Sequence, residues 1–287
     1  MTDMYTRILA TVGGSPWSDT ALTYAINIAA RLGADLHILT GLVMPGSHGH
    51  AEQGPPSDQT QADMEKAARE LLRDAADQAR QARVSVVTHV TWGAIPTTIL
   101  QTAAAEGCDL IVLGTRRRGP TERQELGHIT QAVAANAPQS VLVIKRPLVR
   151  RALLGRRILV AAGHSSWSKY AVEHAIGLAQ VLGLEVCVLH VEHPSQPDDE
   201  TEIEGKQLVA DAEAWSAAAG IAYEGVLASG SVPEAILDAA VRKQCHAIII
   251  GTRSVSGWDR LALGSIVNAV AARATLPVLI VKPAMLV

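Results

Sequence analysis

Four residues near the end of the chain have types and spacing suited to holding phosphate. Gly251 closes an apolar run, Arg253 follows two positions later, and Gly264 and Ser265 open the next helix-like stretch, all within "GTRSVSGWDRLALGS". Glycine lets backbone approach a ligand closely, and a helix start presents unpaired N–H groups to an anion. The Ser265 hydroxyl could donate a further bond, and Arg253 a charge-assisted one. A strand, loop and helix of any origin contains glycines, so a structural turn with a helix cap explains the same spacing. An earlier stretch, "GTRRRGPTERQELGHI", sets Gly114 and Gly127 in the matching places, with Arg116 as the matching arginine and His128 in place of the hydroxyl. Three adjacent arginines, 116 to 118, cannot all face one pocket; a solvent-facing rim accounts for them.

That duplication extends through the chain. "ILATVGGSPWSDTALTYAINIAARLGADLHIL" from Ile8 matches "ILVAAGHSSWSKYAVEHAIGLAQVLGLEVCVL" from Ile158, and "GAIPTTILQTAAAEGCDLIVLGTR" from Gly93 matches "GSVPEAILDAAVRKQCHAIIIGTR" from Gly230. The first copy is longer between the two blocks, and the surplus falls at 44–59, rich in Gly, Pro and Ser, which reads as a long loop. Each copy alternates short apolar strands with helices. In the first, strands are expected at 8–11, 36–42, 84–90, 110–113 and 141–144. Helices are expected from Ser15 or Ser18 to Leu32, and at 63–82, 95–106 and 129–136. The second repeats the order. Short apolar strands separated by helices imply a parallel sheet covered on both faces. The expected fold class is therefore α/β: two tandem doubly wound, Rossmann-like domains, each with a five-stranded, mainly parallel sheet. The expected limits are 1–147 and 156–287, with 148–155 as linker. The basic character of that linker region reads as a solvated connection.

In an open parallel sheet, ligands bind beyond the carboxyl ends of the strands where strand order reverses. Besides the junction at Gly251, this brings in the loop after the first strand, Gly13 in one copy and Gly163, His164 and Ser165 in the other. The end of the second strand adds Val191.

Both halves resemble the universal stress protein family, and the chain is similar to its tandem members. The resemblance rests on "ILATVGGSPWS" and "ILVAAGHSSWS", on "GAIP" and "GSVP", on "LGTR" and "IIGTR", and on the closing "LALGSIVNAVAARATLPVLIVK". It implies a stress-response role. Members that bind ATP carry a glycine, two residues, a second glycine, nine residues, then glycine and Ser or Thr. Gly251, Gly264 and Ser265 match this pattern, whereas Ser254 stands at the second glycine; in the first copy Arg117 and His128 depart from it. ATP-binding members also carry an aspartate after the first strand, where Gly13 and Gly163 stand here. The resemblance thus implies ATP or another adenine nucleotide as cofactor, chiefly in the second domain, with a sensing or regulatory role. The alternatives are a protein-interaction module with degenerate sites and a small-molecule or metal binder. The family also pairs its final strands antiparallel, which implies that 141–144 and 278–281 pair within the chain in a pseudo-twofold manner, with a homodimer as a further step.

The 287 residues are 48% hydrophobic and 18% charged, with a net charge of −3. That balance gives no electrostatic case for nucleic acid or anionic membrane. No stretch reaches about 18 apolar residues without interruption, so no membrane span is expected, and no signal peptide is read at the N-terminus. Three cysteines, Cys108, Cys187 and Cys245, form no CxxC pair and fit a reducing, cytoplasmic setting. Cys187, His190, His193 and His164 offer soft ligands, but alternation sends Cys187 and His190 to opposite faces. His48 and His50 sit in a polar loop. No metal is expected. Trp17 and Trp167 match between copies and read as base-stacking or loop-packing residues. No Ser–His–acid set recurs, and Asp19 is replaced by Lys169, so no general base is designated; at most, slow ATP hydrolysis is expected.

Overall fold

The computed structural model describes residues 4–44, 58–115, 126–145, 155–192, 200–252 and 263–283. They form two compact units, Asp3–Gly114 and Thr115–Val287.

The first unit runs β1 (Arg7–Thr11), α1 (Pro16–Leu32), β2 (Asp35–Leu42), α2 (Asp58–Gln81), β3 (Val86–Trp92), α3 (Ile95–Ala105) and β4 (Leu110–Gly114). Its strands lie in the order β3-β2-β1-β4, all parallel. Successive residues of a strand point to opposite faces. Ile8 and Leu9 are both 0% exposed, so helices cover both faces. Ser15 starts α1: its hydroxyl accepts from the Ser18 N–H at 3.2 Å, and the Ser18 hydroxyl accepts from the Ser15 N–H at 3.1 Å. This reciprocal pair satisfies two donors that a helix start leaves over; removing such a cap costs about 1 kcal/mol. Gly33 stops α1 in the left-handed conformation, φ 68°, its N–H donating to the Ala29 carbonyl.

The second unit contains α4 (His128–Asn136), β5 (Ser140–Ile144), β6 (Arg157–Ala162), α5 (Ser166–Leu182), β7 (Glu185–Glu192), α6 (Glu200–Ala219), β8 (Tyr223–Ser229), α7 (Val232–Arg242), β9 (Ala247–Gly251), α8 (Ser265–Arg273) and β10 (Val278–Val281). Its strand order is β5-β10-β9-β6-β7-β8. Among the described residues, every pairing in this unit is parallel except β5 with β10, where Val278, Leu279 and Ile280 face Val143, Leu142 and Val141. The final strand of the first sequence repeat thus pairs with the final strand of the second, as the resemblance implies. Both repeats are mainly parallel α/β folds, and β5 of the first packs in the second unit.

Several boundaries shift by a residue or more from the sequence expectation, and two of the shifts have a local cause or consequence. The helix α2 begins at Asp58, inside the stretch assigned to the long loop. The strand β3 begins at Val86, not at residue 84. Val84 is buried, but its N–H donates to the Ala79 carbonyl, so this apolar residue closes the helix exit and does not open the strand.

Candidate functional site

The order of strands reverses between β6 and β9, which run side by side with β7 beyond β6. Gly163 follows β6 directly, His164 is exposed beside it, and Ser165 caps α5, its hydroxyl accepting from the Ser168 N–H at 3.2 Å. A Cβ on Gly163 would lie 3.2 Å from the Ser168 hydroxyl. Val191 lies half-buried near the end of β7. Gly251 ends β9, and a Cβ there would lie 2.2 Å from the Trp167 carbonyl oxygen. The end of β9 and the first turn of α5 therefore touch backbone to backbone. This contact explains why the strand must end on glycine whatever binds nearby. Gly264 caps α8 without any side-chain bond, and Ser265 is exposed at its first turn. Arg253 and Ser254 lie outside the described residues.

The first repeat shows the same backbone contact. A Cβ on Gly114 would lie 2.3 Å from the Trp17 carbonyl oxygen. Gly13 differs from Gly163: nothing stands within 4 Å of a Cβ placed there. Gly13 and Gly114 belong to the first unit. Gly127, in the second, caps α4 without a side-chain bond, just before the exposed His128. Arg116 lies outside the described residues.

At the end of β7, His190, which the sequence offers only as one of four soft ligands, forms a buried polar pair with Glu202. His190 Nδ1 is 3.0 Å from the Ala162 carbonyl, the last residue of β6, and its Nε2 is 3.1 Å from Glu202 Oε2. Both residues are about 5% exposed. Gly205 of α6 makes room: a Cβ there would lie 2.1 Å from His190 Cε1. At the equivalent place in the first repeat, the Thr40 hydroxyl donates to the Val12 carbonyl at 3.2 Å. The same strand-end carbonyl is thus satisfied from the neighbouring strand in both copies, by different chemistry.

The weighed metal set does not assemble among the described residues. Cys187 lies on the opposite face of β7 from His190, and its interaction with Cys245 lowers the Cys187 thiol and raises that of Cys245, whose Sγ donates to the Lys243 carbonyl at 3.9 Å. His164 is exposed, and His193 lies outside the described residues, as do His48 and His50. Burial, helped by Asp109 and Glu106, raises the Cys108 thiol to about 12, which suits a packed residue. The structure does bring together three residues that sequence reading passed over. His37 Nδ1 lies 3.0 Å from His89 Nε2 and 3.6 Å from Glu106 Oε2. The signal was present in principle: His37 and His89 share a sheet face once β2 and β3 are set in register.

Duplicated sequence, doubly wound α/β units and a strand-end crevice define the class of protein. The universal stress protein family profile matches residues 4–145 and again 155–282, and the chain belongs to that family as a tandem two-domain member. It is 30% identical over 145 residues to universal stress protein YxiE of Bacillus subtilis, covering 44% of this chain and 98% of that protein. It is 25% identical over 301 residues to a universal stress protein of Mycolicibacterium smegmatis, covering 96% of this chain and 97% of that one. The crystal structure of a universal stress protein from Archaeoglobus fulgidus shares the fold with a TM-score of 0.78 at 22% identity, over 97% of this chain and 96% of that chain. Among the described residues, no helix is long and apolar enough to cross a membrane.

Proposed function

We propose that this chain is a stress-response protein that binds an adenine nucleotide, chiefly in its second repeat, in a sensing or regulatory role. The observation that carries the reading is the start of α8. Gly264 caps it without a side chain, Ser265 is exposed, and the first-turn N–H groups remain for an anionic guest. Gly163 and Ser165 would meet the nucleoside from β6, and Val191 from β7; Arg253 and Ser254 would flank the phosphates. The first repeat, with Gly13, Gly114, Arg116 and Gly127, would bind more weakly. His164 stands exposed beside Gly163, but the sequence designates no general base, so binding rather than turnover is the expected activity.

Calorimetry of the full chain with ATP, ADP and AMP tests this. One tighter saturable site per chain is expected, with any second site weaker, and no heat at millimolar nucleotide overturns the reading. Gly163→Asp supplies the carboxylate that the family pattern places there. A charge-assisted bond to a ribose hydroxyl is worth about 1.5 kcal/mol, so affinity is expected to rise about tenfold. The second reading, a protein-interaction module with degenerate sites, is favoured by glycine at both 13 and 163; it predicts no gain from that substitution.

We further propose that the units of duplication are 1–147 and 156–287 with 148–155 between them, that chains associate as homodimers, and that the setting is the cytoplasm. The three buried free thiols agree with a reducing compartment.

A further inference from the structure

We propose that His37, His89 and Glu106 form a binding site for one borderline divalent transition metal ion, zinc being the best fit, in the first unit. The site stands independently of nucleotide binding.

Its geometry follows from strand register. His37 pairs with Val87 and Leu39 with His89 across β2 and β3, so His37 and His89 occupy one sheet face as diagonal neighbours. Diagonal residues are within reach of each other's side chains when those are long or aromatic. The two rings stack with centroids 5.3 Å apart and planes 11° from parallel. Glu106 arrives from the end of α3, with His37 Nδ1 at 3.6 Å and His89 Nδ1 at 4.0 Å from its carboxylate. Ligand atoms about 2.0–2.1 Å from a tetrahedral zinc ion stand roughly 3.3 Å from one another. His37 Nδ1 stands 3.0 Å from His89 Nε2 and 3.6 Å from Glu106 Oε2, either side of that value, and one ligand atom from each of the three residues lies within 4.8 Å of the other two, so side-chain rotation can close the set around an ion.

The donor set selects the ion. Two imidazoles and one carboxylate suit zinc, copper, iron or nickel, and offer too few oxygens for calcium or magnesium. The side chains are 7%, 16% and 38% exposed in the order His37, His89, Glu106, so the site is anchored inside and open outside. The open side leaves a fourth position for water. Metal binding needs a neutral imidazole; burial first, then the neighbouring His89, holds His37 below its ordinary pKa. The other charges acting on His37 are Glu106, Asp35 and Arg7. Arg7 donates to the Glu106 backbone carbonyl at 2.8 Å, which fixes the residue that carries the carboxylate.

The second repeat supplies an internal control. The residues equivalent to His37, His89 and Glu106 are Cys187, Val226 and Lys243. Valine and a lysine cation cannot complete a site, so one ion per chain is expected.

The test uses untagged full-length chain freed of metal by chelator dialysis. Zinc is titrated in competition with a chromogenic chelator, and cobalt is followed by its visible absorption. One equivalent should bind at micromolar or lower concentration, with the tetrahedral cobalt bands. His89→Ala and Glu106→Gln change partly exposed residues; each should weaken zinc at least tenfold while thermal unfolding shows the fold retained. A His48→Ala/His50→Ala variant should bind as the parent does. The proposal is overturned if zinc does not bind at micromolar concentration, or if binding survives His89→Ala and is lost in the loop variant.

Discussion

Lys282 is a buried cation whose partners are backbone carbonyls. Its Nζ donates to the Ala134 carbonyl at 2.7 Å and to that of Ala137, at the end of α4, where the helix leaves its last carbonyls over. Burial lowers its pKa from 10.5 to about 8. In the unfolded chain the amine keeps its proton to the ordinary value, so between about pH 8 and 10.5 the unfolded state holds more protons. Stability contributed by this group therefore rises with pH across that window. Tyr223 and Cys108, both raised to about 12 by burial, act in the opposite sense at the alkaline end. The clean readout is a difference between two proteins. Denaturant unfolding at pH 7.5 and 9.5 should show the parent gaining on the order of 1 kcal/mol relative to Lys282→Met. An unchanged difference between the two pH values would refute the assignment.

At the scale of elements, the repeated strand-to-loop junction has a packing cause before any ligand is considered. Gly114 and Gly251 each let a strand end touch the first turn of the helix across from it, and backbone on the other side cannot yield to a Cβ. Gly251→Ala should cost about 2–4 kcal/mol, seen as a lowered Tm, whereas Gly13→Ala, with nothing within 4 Å, should stay within about 0.5 kcal/mol. Equal melting temperatures for the two variants would contradict this. The alternation of strands and helices was legible because repeat, apolar runs and caps all agreed; Ser15, Gly33 and Ser165 sit where the local chemistry requires. The misplaced start of β3 shows where such reading fails: Val84 is apolar and buried, but hydrogen-bonded to a helix. The pairs His37–His89, His190–Glu202 and Cys187–Cys245 were illegible for another reason. Each joins separate elements, and its closeness depends on register or on helix approach, which no local pattern encodes.

For the whole molecule, the decisive feature is the ladder between β5 and β10. Val141–Val143 lie in register with Ile280–Val278, and all six residues are buried. If the chain is cut between 148 and 155, each piece retains one apolar strand whose partner is in the other piece. Exposed edges of that kind attract complementary strands. Co-expressed pieces should therefore purify as a one-to-one complex, and Leu142→Lys should release them; recovery of two independent pieces without that substitution would count against the ladder. Duplication normally frees one copy to drift. Here the two crevices differ in sequence, Gly127–His128 in one copy standing where Gly264–Ser265 stand in the other, but Leu142 and Leu279 face each other. Any change on one side is judged at once by the other, so heredity ties the halves together along this seam even as their sites part ways.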